Sequence, residues 1–157
     1  MLNFRLCEQE DKNIWIKLNR EFMDFEIQDE ELWCNTSKVS DEIFANTFKE
    51  ALANSEMISL MLIEKDEEII GFANLVIFFS VWSHGKAMII DDLFLKEEYH
   101  GKGYGRKSFE HIEKYAIELG CKRLQFMSEK TNPNAYEFYR HIGYQSEDIY
   151  FYVKDLK

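Results

Sequence analysis

Apolar residues change several times between strand spacing and helix spacing along this chain, and this succession limits it to an α/β architecture. Short runs with period two predict strands, whereas apolar residues three and four positions apart predict helices. The predicted strands are 2–7, 57–64, 68–79, 86–95 and 122–128, with closing strands near Tyr144 and over 149–153, and the predicted helices are 8–26, 41–54, 105–119 and 134–142. Strands connected by crossover helices indicate an α/β domain with a mixed sheet.

Length and composition predict one folded domain. The chain has 157 residues, of which 46% are hydrophobic and 15% aromatic, so disorder is excluded as its main state. A single proline and seven glycines exclude collagen-like and low-complexity classes. No repeat or flexible linker divides the sequence, and we expect a single domain over residues 1–157.

The net charge of −10 argues against binding to nucleic acid or anionic membranes, whose phosphates attract basic proteins. Cys7, Cys34 and Cys121 are far apart and form no Cys/His cluster, so neither a disulfide framework nor a zinc site is expected. The charged N-terminus does not resemble a signal peptide, and the longest apolar run, residues 72–82, is too short to cross a membrane. These features are typical of a cytoplasmic protein.

Three of the seven glycines fall within five residues, at Gly101, Gly103 and Gly105, between a predicted strand and a predicted helix. Glycine lets the backbone turn tightly and brings bare N–H groups close to a ligand, and a helix N-terminus adds unpaired donors. This arrangement binds phosphate, and cationic side chains surround it at Lys102, Arg106 and Lys107. A glycine-rich turn without a ligand is the alternative.

Two common phosphate motifs fail at the same position. The G-x-x-x-x-G-K-[ST] loop and the dinucleotide fingerprint G-x-G-x-x-G both require glycine at residue 106 when counted from Gly101, and Arg106 stands there.

Three segments together resemble the GNAT family of N-acetyltransferases. The first is the glycine loop, which begins with His100 where the family most often has Arg or Gln. The second is 132–144, similar to the family pattern N-x-x-A-x-x-F-Y-x-x-x-G-F/Y, and the third is the acid-containing strand 90–95. The resemblance covers residues 86–145 specifically. It implies a central mixed, mostly antiparallel twisted sheet of about six or seven strands with about four helices, in which splayed strands form a cleft for acetyl-CoA.

The resemblance also implies which residues bind the co-substrate. The pantetheine arm would pair with the strand at Leu93, Phe94 and Leu95. The diphosphate would contact the loop, whose residues are His100, Gly101, Lys102, Gly103, Tyr104, Gly105 and Arg106. Asn132 would contact the arm, although a helix N-cap is an equally good interpretation of that residue.

Tyr139 would be the general acid that protonates the departing thiolate, since a neutral phenol can donate this proton. An aromatic core residue is the alternative. Asp91 and Asp92 are candidate general bases, and because they are adjacent on a strand only one can face the substrate. Glu26 is another candidate base. These acids could instead only attract or orient a cation.

The region 21–31 contains six acids interleaved with aromatics, and the resemblance places the acceptor site there. Glu26, Phe25 and Trp33 are the candidate substrate-binding residues, since acids and aromatics suit a cationic amine. A solvated helix face would also explain the acids. His84, His111 and His141 show no metal-ligand spacing and are interpreted as surface or packing residues.

The sequence thus predicts an acetyl-CoA-dependent N-acetyltransferase, without a metal, acting on a primary amine. A small cationic acceptor such as a polyamine, diamino acid or aminoglycoside is favoured. The alternatives are a protein acetyltransferase acting on lysine or an N-terminus, and a non-catalytic acyl-CoA sensor. A homodimer formed through the C-terminal strands is left open.

Overall fold

The computed structural model describes residues 1–27, 30–33, 35–36 and 38–156, which form two compact units, Met1–Phe126 and Met127–Lys157. The first unit contains a sheet of five strands in the order β1-β2-β3-β4-β5. Their bounds are β1 (Leu2–Leu6), β2 (Ile58–Lys65), β3 (Glu68–Ser80), β4 (Gly85–Leu95) and β5 (Leu124–Gln125). Neighbours from β1 to β4 are antiparallel, whereas β5 runs parallel to β4. The predicted mixed, mostly antiparallel sheet is therefore confirmed.

Five helices accompany the sheet within the described residues. Their bounds are α1 (Lys12–Glu26), α2 (Glu30–Trp33), α3 (Asp41–Ala53), α4 (Tyr104–Glu118) and α5 (Pro133–His141). The sequence did not predict α2, which is a single turn. The helix predicted over 8–26 begins only at Lys12, because Gln9–Asp11 form a separate 3₁₀ turn. The Ser40 hydroxyl caps α3 by accepting from the Ile43 N–H at 3.3 Å, as its position before the helix predicts.

The helices of the first unit cover both faces of its sheet. Residues of α1 and α3, including Leu18 and Phe48, pack with Leu62 and Phe72 of the sheet in one buried cluster. The opposite face packs against α4, where the His111 ring stacks on Phe4 with centroids 4.1 Å apart. Burial lowers the pKa of His111, in agreement with the prediction of a packing histidine.

Strand β4 contains one residue more than its partner. Asn74 pairs with Asp92 and Leu75 pairs with Ile90, so Asp91 is skipped in the register between β3 and β4. This is a β-bulge, a feature that redirects side chains and is frequent beside active sites. Asp91 is therefore the extra residue of the bulge, and Asp92 lies opposite Asn74.

The strand count is lower than the predicted six or seven. Among the described residues, β5 has two residues where the sequence predicted a strand over 122–128, and no strand is formed near Tyr144 or over 149–153. Ile149, Tyr150 and Tyr152 are exposed rather than paired in a ladder. Alternating apolar residues show that a segment can form a strand, but a strand also needs a neighbouring edge with which to pair.

Candidate active site

Among the described residues, no strand pairs with the outer edge of β4 beyond its first half, and this unpaired part is called the open edge. Strand β5 accompanies β4 only at Met88 and Ile89. The Lys96 N–H donates to the Ile70 carbonyl on β3 at 2.9 Å, and hydrogen-bonding direction alternates along an antiparallel strand. The backbone groups of Leu93 and Leu95 therefore point away from β3, toward this open edge. An extended amide-containing arm could pair there by strand addition.

The glycine loop has the geometry of an anion cradle. Gly101 and Gly103 have φ of +71° and +80°, a conformation that glycine adopts without strain, and a Cβ at either position would meet no atom within 4 Å. Gly103 is the N-cap residue of α4, and among the described residues no side chain caps this helix. The first N–H groups of α4 therefore have no side-chain cap in the described part of the chain, and an anion at this helix N-terminus would be stabilised.

Side chains around the loop take several different partners. The Lys102 ammonium lies 5.4 Å from the centre of the Tyr99 ring, and the Arg106 Nε donates to Glu110 at 2.9 Å. The His100 ring folds back so that Nε2 lies 2.7 Å from the Leu95 carbonyl oxygen. Because a carbonyl only accepts, this nitrogen carries the proton. Tyr104 and Gly105 begin α4 and are partly buried.

Asp92 faces α1 and is half-buried. The Asn74 amide donates to its Oδ2 at 2.8 Å, and Asn74 in turn contacts Trp15 and Asn19 of α1. Burial raises the pKa of the Asp92 carboxyl to about 6, the Asn74 hydrogen bond opposes this rise, and the neighbouring charge of Asp91 adds to it. A carboxyl with this pKa is poised to exchange a proton near neutral pH.

Asp91, the bulge residue, has an exposed surface area, but the protein atoms around its carboxyl partly desolvate it and so raise its pKa. The structure therefore places the two predicted carboxylates in different surroundings, and Asp92 is the one held by side chains of other elements.

A cavity of about 440 Å³ lies beside the C-terminal end of β4. It is lined by both acidic and basic side chains and by two aromatic rings: Lys17, Glu21, Phe25, Phe94, Lys96, Glu97, Glu98 and His100. Phe94 is two residues from Asp92 and belongs to an aromatic cluster with Phe22 and Phe72 on the α1 face. The volume of the cavity is in the range found for sites that bind small molecules.

Only one predicted acceptor residue lines this cavity. Phe25 does so and is 54% exposed, whereas Glu26 and Trp33 are exposed at the end of α1 and in α2 and are not among the lining residues described. Of the acids predicted with them, Asp29 lies outside the described residues, as does Cys34.

The second unit contains Asn132 and Tyr139 on α5. The Asn132 side chain caps this helix by accepting from the Ala135 N–H at 3.1 Å, so the N-cap interpretation is correct, and the arm contact stays a prediction. Tyr139 is half-buried, and its ring packs edge-on against Phe138 with centroids 5.5 Å apart.

Sequence reasoning missed the residues that surround Asp92. Asn74 makes the polar contact to Asp92, and Trp15 and Asn19 hydrogen-bond Asn74, yet these three residues belong to no family motif quoted above. A weak signal was present, because Asn19 is a polar residue on the buried face of α1 and Asn74 interrupts the apolar strand β3. Glu21, which lines the cavity, is one of the six acids of the predicted acceptor region, whereas Lys17 was not singled out.

No group of three or more His, Cys, Asp or Glu side chains in the described ranges could hold a metal ion. In the same ranges, no helix has the length and apolar character required to span a membrane.

An α/β sheet with an open strand edge beside a glycine-lined helix N-terminus has the geometry expected of a site for an extended phosphate-bearing molecule. The sequence pattern of the acetyltransferase (GNAT) family matches residues 21–144. The chain therefore belongs to the GNAT acetyltransferase family, whose members use acetyl-CoA, and its enzyme class is N-acetyltransferase.

Individual relatives agree with this assignment. The chain is 27% identical to thialysine N-epsilon-acetyltransferase from Bos taurus over 77 residues, which are 49% of this chain and 45% of that enzyme. It is 23% identical to D-amino-acid N-acetyltransferase HPA3 from Saccharomyces cerevisiae, over 96% of this chain and 92% of that enzyme. A possible acetyltransferase from Clostridium difficile 630 has a TM-score of 0.80 at 16% identity, covering 100% of this chain and 99% of that one, and shows the shared fold.

Proposed function

We propose that this enzyme transfers the acetyl group of acetyl-CoA to the primary amine of a small molecule that carries both an ammonium and a carboxylate, such as a diamino acid. The cavity beside β4 is the observation that carries this proposal. Its walls present three glutamates, two lysines and two phenylalanine rings, a combination suited to a zwitterion with an aliphatic body.

The glycine loop and the open edge of β4 fit the co-substrate. Acetyl-CoA supplies the acetyl group as a thioester. The N–H groups at the start of α4 would hold its diphosphate, and the backbone of Leu93 and Leu95 would pair with its arm. Asn132 would add a contact from the second unit. Residues 1–157 would then act as a single catalytic domain, which stays a prediction.

Asp92 is proposed as the general base. An acceptor amine arrives as an ammonium with a pKa near 10, so one proton must leave before nitrogen can attack a carbonyl. The Asp92 carboxyl is ionised above about pH 6 and faces α1, the helix that lines the cavity. Asp91 would add negative charge that attracts the ammonium. Tyr139 is proposed as the general acid that returns a proton to the departing sulfur.

The lysines of the cavity favour a diamino acid over a polyamine. Lys17 and Lys96 both line the cavity, where their positive charges would attract a carboxylate and oppose a polycation. Each is also paired with a glutamate, Lys17 with Glu21 at 3.9 Å and Lys96 with Glu68 at 3.1 Å. Two relatives are named for thialysine and for D-amino acids, which are amino acids and not polyamines. Phe25, Glu26 and Trp33 would contribute to the same acceptor side.

Two matched pairs of amines test the substrate class. Lysine and cadaverine differ only in the carboxylate, as do ornithine and putrescine. We expect the amino acid of each pair to have the higher kcat/KM in an assay of CoA thiol release. The ratio of kcat/KM between amino acid and diamine should be smaller in Lys17→Met. Lys12→Met is the control, because Lys12 is on the same helix but does not line the cavity, and it should leave the ratio unchanged. A preference for the diamines would contradict the assignment.

The same assay separates the alternatives. A protein acetyltransferase would acetylate a lysine-containing peptide far better than free amino acids. A sensor would bind acetyl-CoA in calorimetry without releasing thiol in the presence of any amine.

A further inference from the structure

A closed chain of hydrogen bonds links α1 to the candidate base. The Trp15 indole Nε1 donates to Asn74 Oδ1 at 3.0 Å. Asn74 Nδ2 donates to Asp92 Oδ2 at 2.8 Å and to Asn19 Oδ1 at 3.0 Å. Asn19 Nδ2 then donates to the Trp15 carbonyl at 2.7 Å. Three elements, α1, β3 and β4, are thus joined through the Asn74 amide.

The two ends of this hydrogen-bond network fix the donor and acceptor of every hydrogen bond in it. An indole N–H can only donate and a backbone carbonyl can only accept, so neither amide can be rotated without losing a hydrogen bond. Asn74 must therefore present its NH₂ group, and not its oxygen, to Asp92. A donated N–H stabilises the ionised carboxylate relative to the protonated acid.

Burying the polar groups of this network costs free energy. Trp15 is 4% and Asn19 is 3% exposed, and the Trp15 ring packs against Phe44 and Phe48 in the apolar cluster. A fully satisfied polar network rigidifies its members, whereas an apolar residue at Asn19 would avoid the cost of burying an amide. The network is thus better explained by what it does to Asp92 than by stability.

We propose that Asn74 is a positioning residue for proton transfer at Asp92, with Trp15 and Asn19 holding its amide in the donating orientation. This inference rests on the proposed function, in which Asp92 is the general base. It adds that the base depends on a side chain outside the family motifs.

The charges around Asp92 agree with this role. Its own strand presents Asp91, whose charge opposes ionisation. Strand β3 presents the neutral Asn74, and α1 presents the neutral Trp15 and Asn19. The charged residues of α1 that line the cavity with Phe94 are Lys17 and Glu21, and they form an ion pair with each other.

Titration of the Asp92 side-chain carboxyl carbon by NMR tests the proposal without requiring turnover. Asn74→Leu removes the donor, and we expect the Asp92 midpoint to rise by about one to two pH units, as for a lost hydrogen bond to a charged group. Asn3→Leu is the matched control, because the exposed Asn3 also donates to a carboxylate, Glu64, at 3.1 Å on a distant strand. This variant should leave the Asp92 midpoint where it is.

The acid limb of kcat/KM against pH should move upward with the Asp92 midpoint in Asn74→Leu. Trp15→Phe keeps an aromatic ring but frees the Asn74 amide to rotate. It should therefore raise the titration midpoint of Asp92 by a smaller amount than Asn74→Leu does. If Asn74→Leu does not fold, the Trp15→Phe result tests the proposal instead. An unchanged midpoint in the folded variants would overturn the inference. A moved midpoint with a fixed acid limb would also overturn it, and would remove Asp92 as the base while leaving acetyl transfer intact. Absence of turnover with every amine would instead refute the proposed function, and the positioning role with it.

Discussion

Replacing Asp92 by asparagine should stabilise the protein at neutral pH while removing most of its activity. The pKa of Asp92 rises from 3.8 to about 6 in the folded chain, because burial disfavours the charged carboxylate. Between these two values the folded state binds more protons than the unfolded state, so stability falls as pH rises through this window. A shift of about two units corresponds to about 3 kcal/mol at pH 7. The variant lacks this loss, since its amide does not titrate.

Urea unfolding of both proteins from pH 3.5 to pH 8 measures the difference directly. The two should be nearly equal in stability at the lowest pH, and the variant should become more stable by up to about 3 kcal/mol above pH 6. Acetyl transfer by the variant should fall by about 10²- to 10⁴-fold at every pH. Asp66→Asn is a control of opposite sign, because Lys65 and the N-terminal amine hold the pKa of Asp66 at about 2. That control should lower stability at neutral pH.

Equal pH dependence of the variant and the wild type would refute this reasoning. It would mean that the Asp92 carboxyl is hydrated or paired well enough to keep an ordinary pKa. A carboxyl of that kind would be ionised but would have no unusual readiness to hold a proton near neutral pH.

Three further substitutions test other parts of the site. Gly103→Val should weaken CoA binding in calorimetry by about tenfold or more, because the side chain stands at the start of α4; Gly120→Val, at a similar φ of +82°, should cost comparable stability without affecting CoA binding. Tyr139→Phe should reduce turnover by about 10²- to 10⁴-fold with near-normal CoA affinity, and unchanged turnover would exclude the acid role. Gly71→Ala should destabilise by about 1–3 kcal/mol in urea unfolding, because its Cβ would collide with the Phe94 carbonyl oxygen, and a smaller loss would show that β3 and β4 separate easily.

The fold could be predicted from sequence where a local pattern determines an element. The apolar runs of β2, β3 and β4 and the repeats of α1, α3 and α4 gave bounds close to the observed ones. Ser40 precedes α3 because its hydroxyl caps the helix, and Gly120 follows α4 because glycine adopts a positive φ without strain. The closing strands could not be predicted in this way, because their aromatic alternation contains no information about a partner edge.

The candidate site could be predicted in part. The glycine loop could be proposed from sequence because its residues are consecutive and because the proposed contacts are made by the backbone. Asn74 and Asn19 were missed because they lie 55 residues apart and meet only through the pairing of β3 with β4 and the packing of α1. An isolated asparagine in an apolar segment predicts a buried hydrogen bond at most, and it does not name the partner.

The bulge at Asp91 explains how one strand can serve two partners at once. The register across it keeps Asp92 opposite Asn74 and Phe94 opposite Phe72, so the side chains of Asp92 and Phe94 face α1. The alternate residues turn their backbone groups to the open edge, where an extended arm would pair. The proposed base and the proposed arm-binding edge then lie within a few residues of each other, at a spacing set by the covalent chain. This geometry follows from pairing with β3, which is why adjacent aspartates in the sequence could not reveal it.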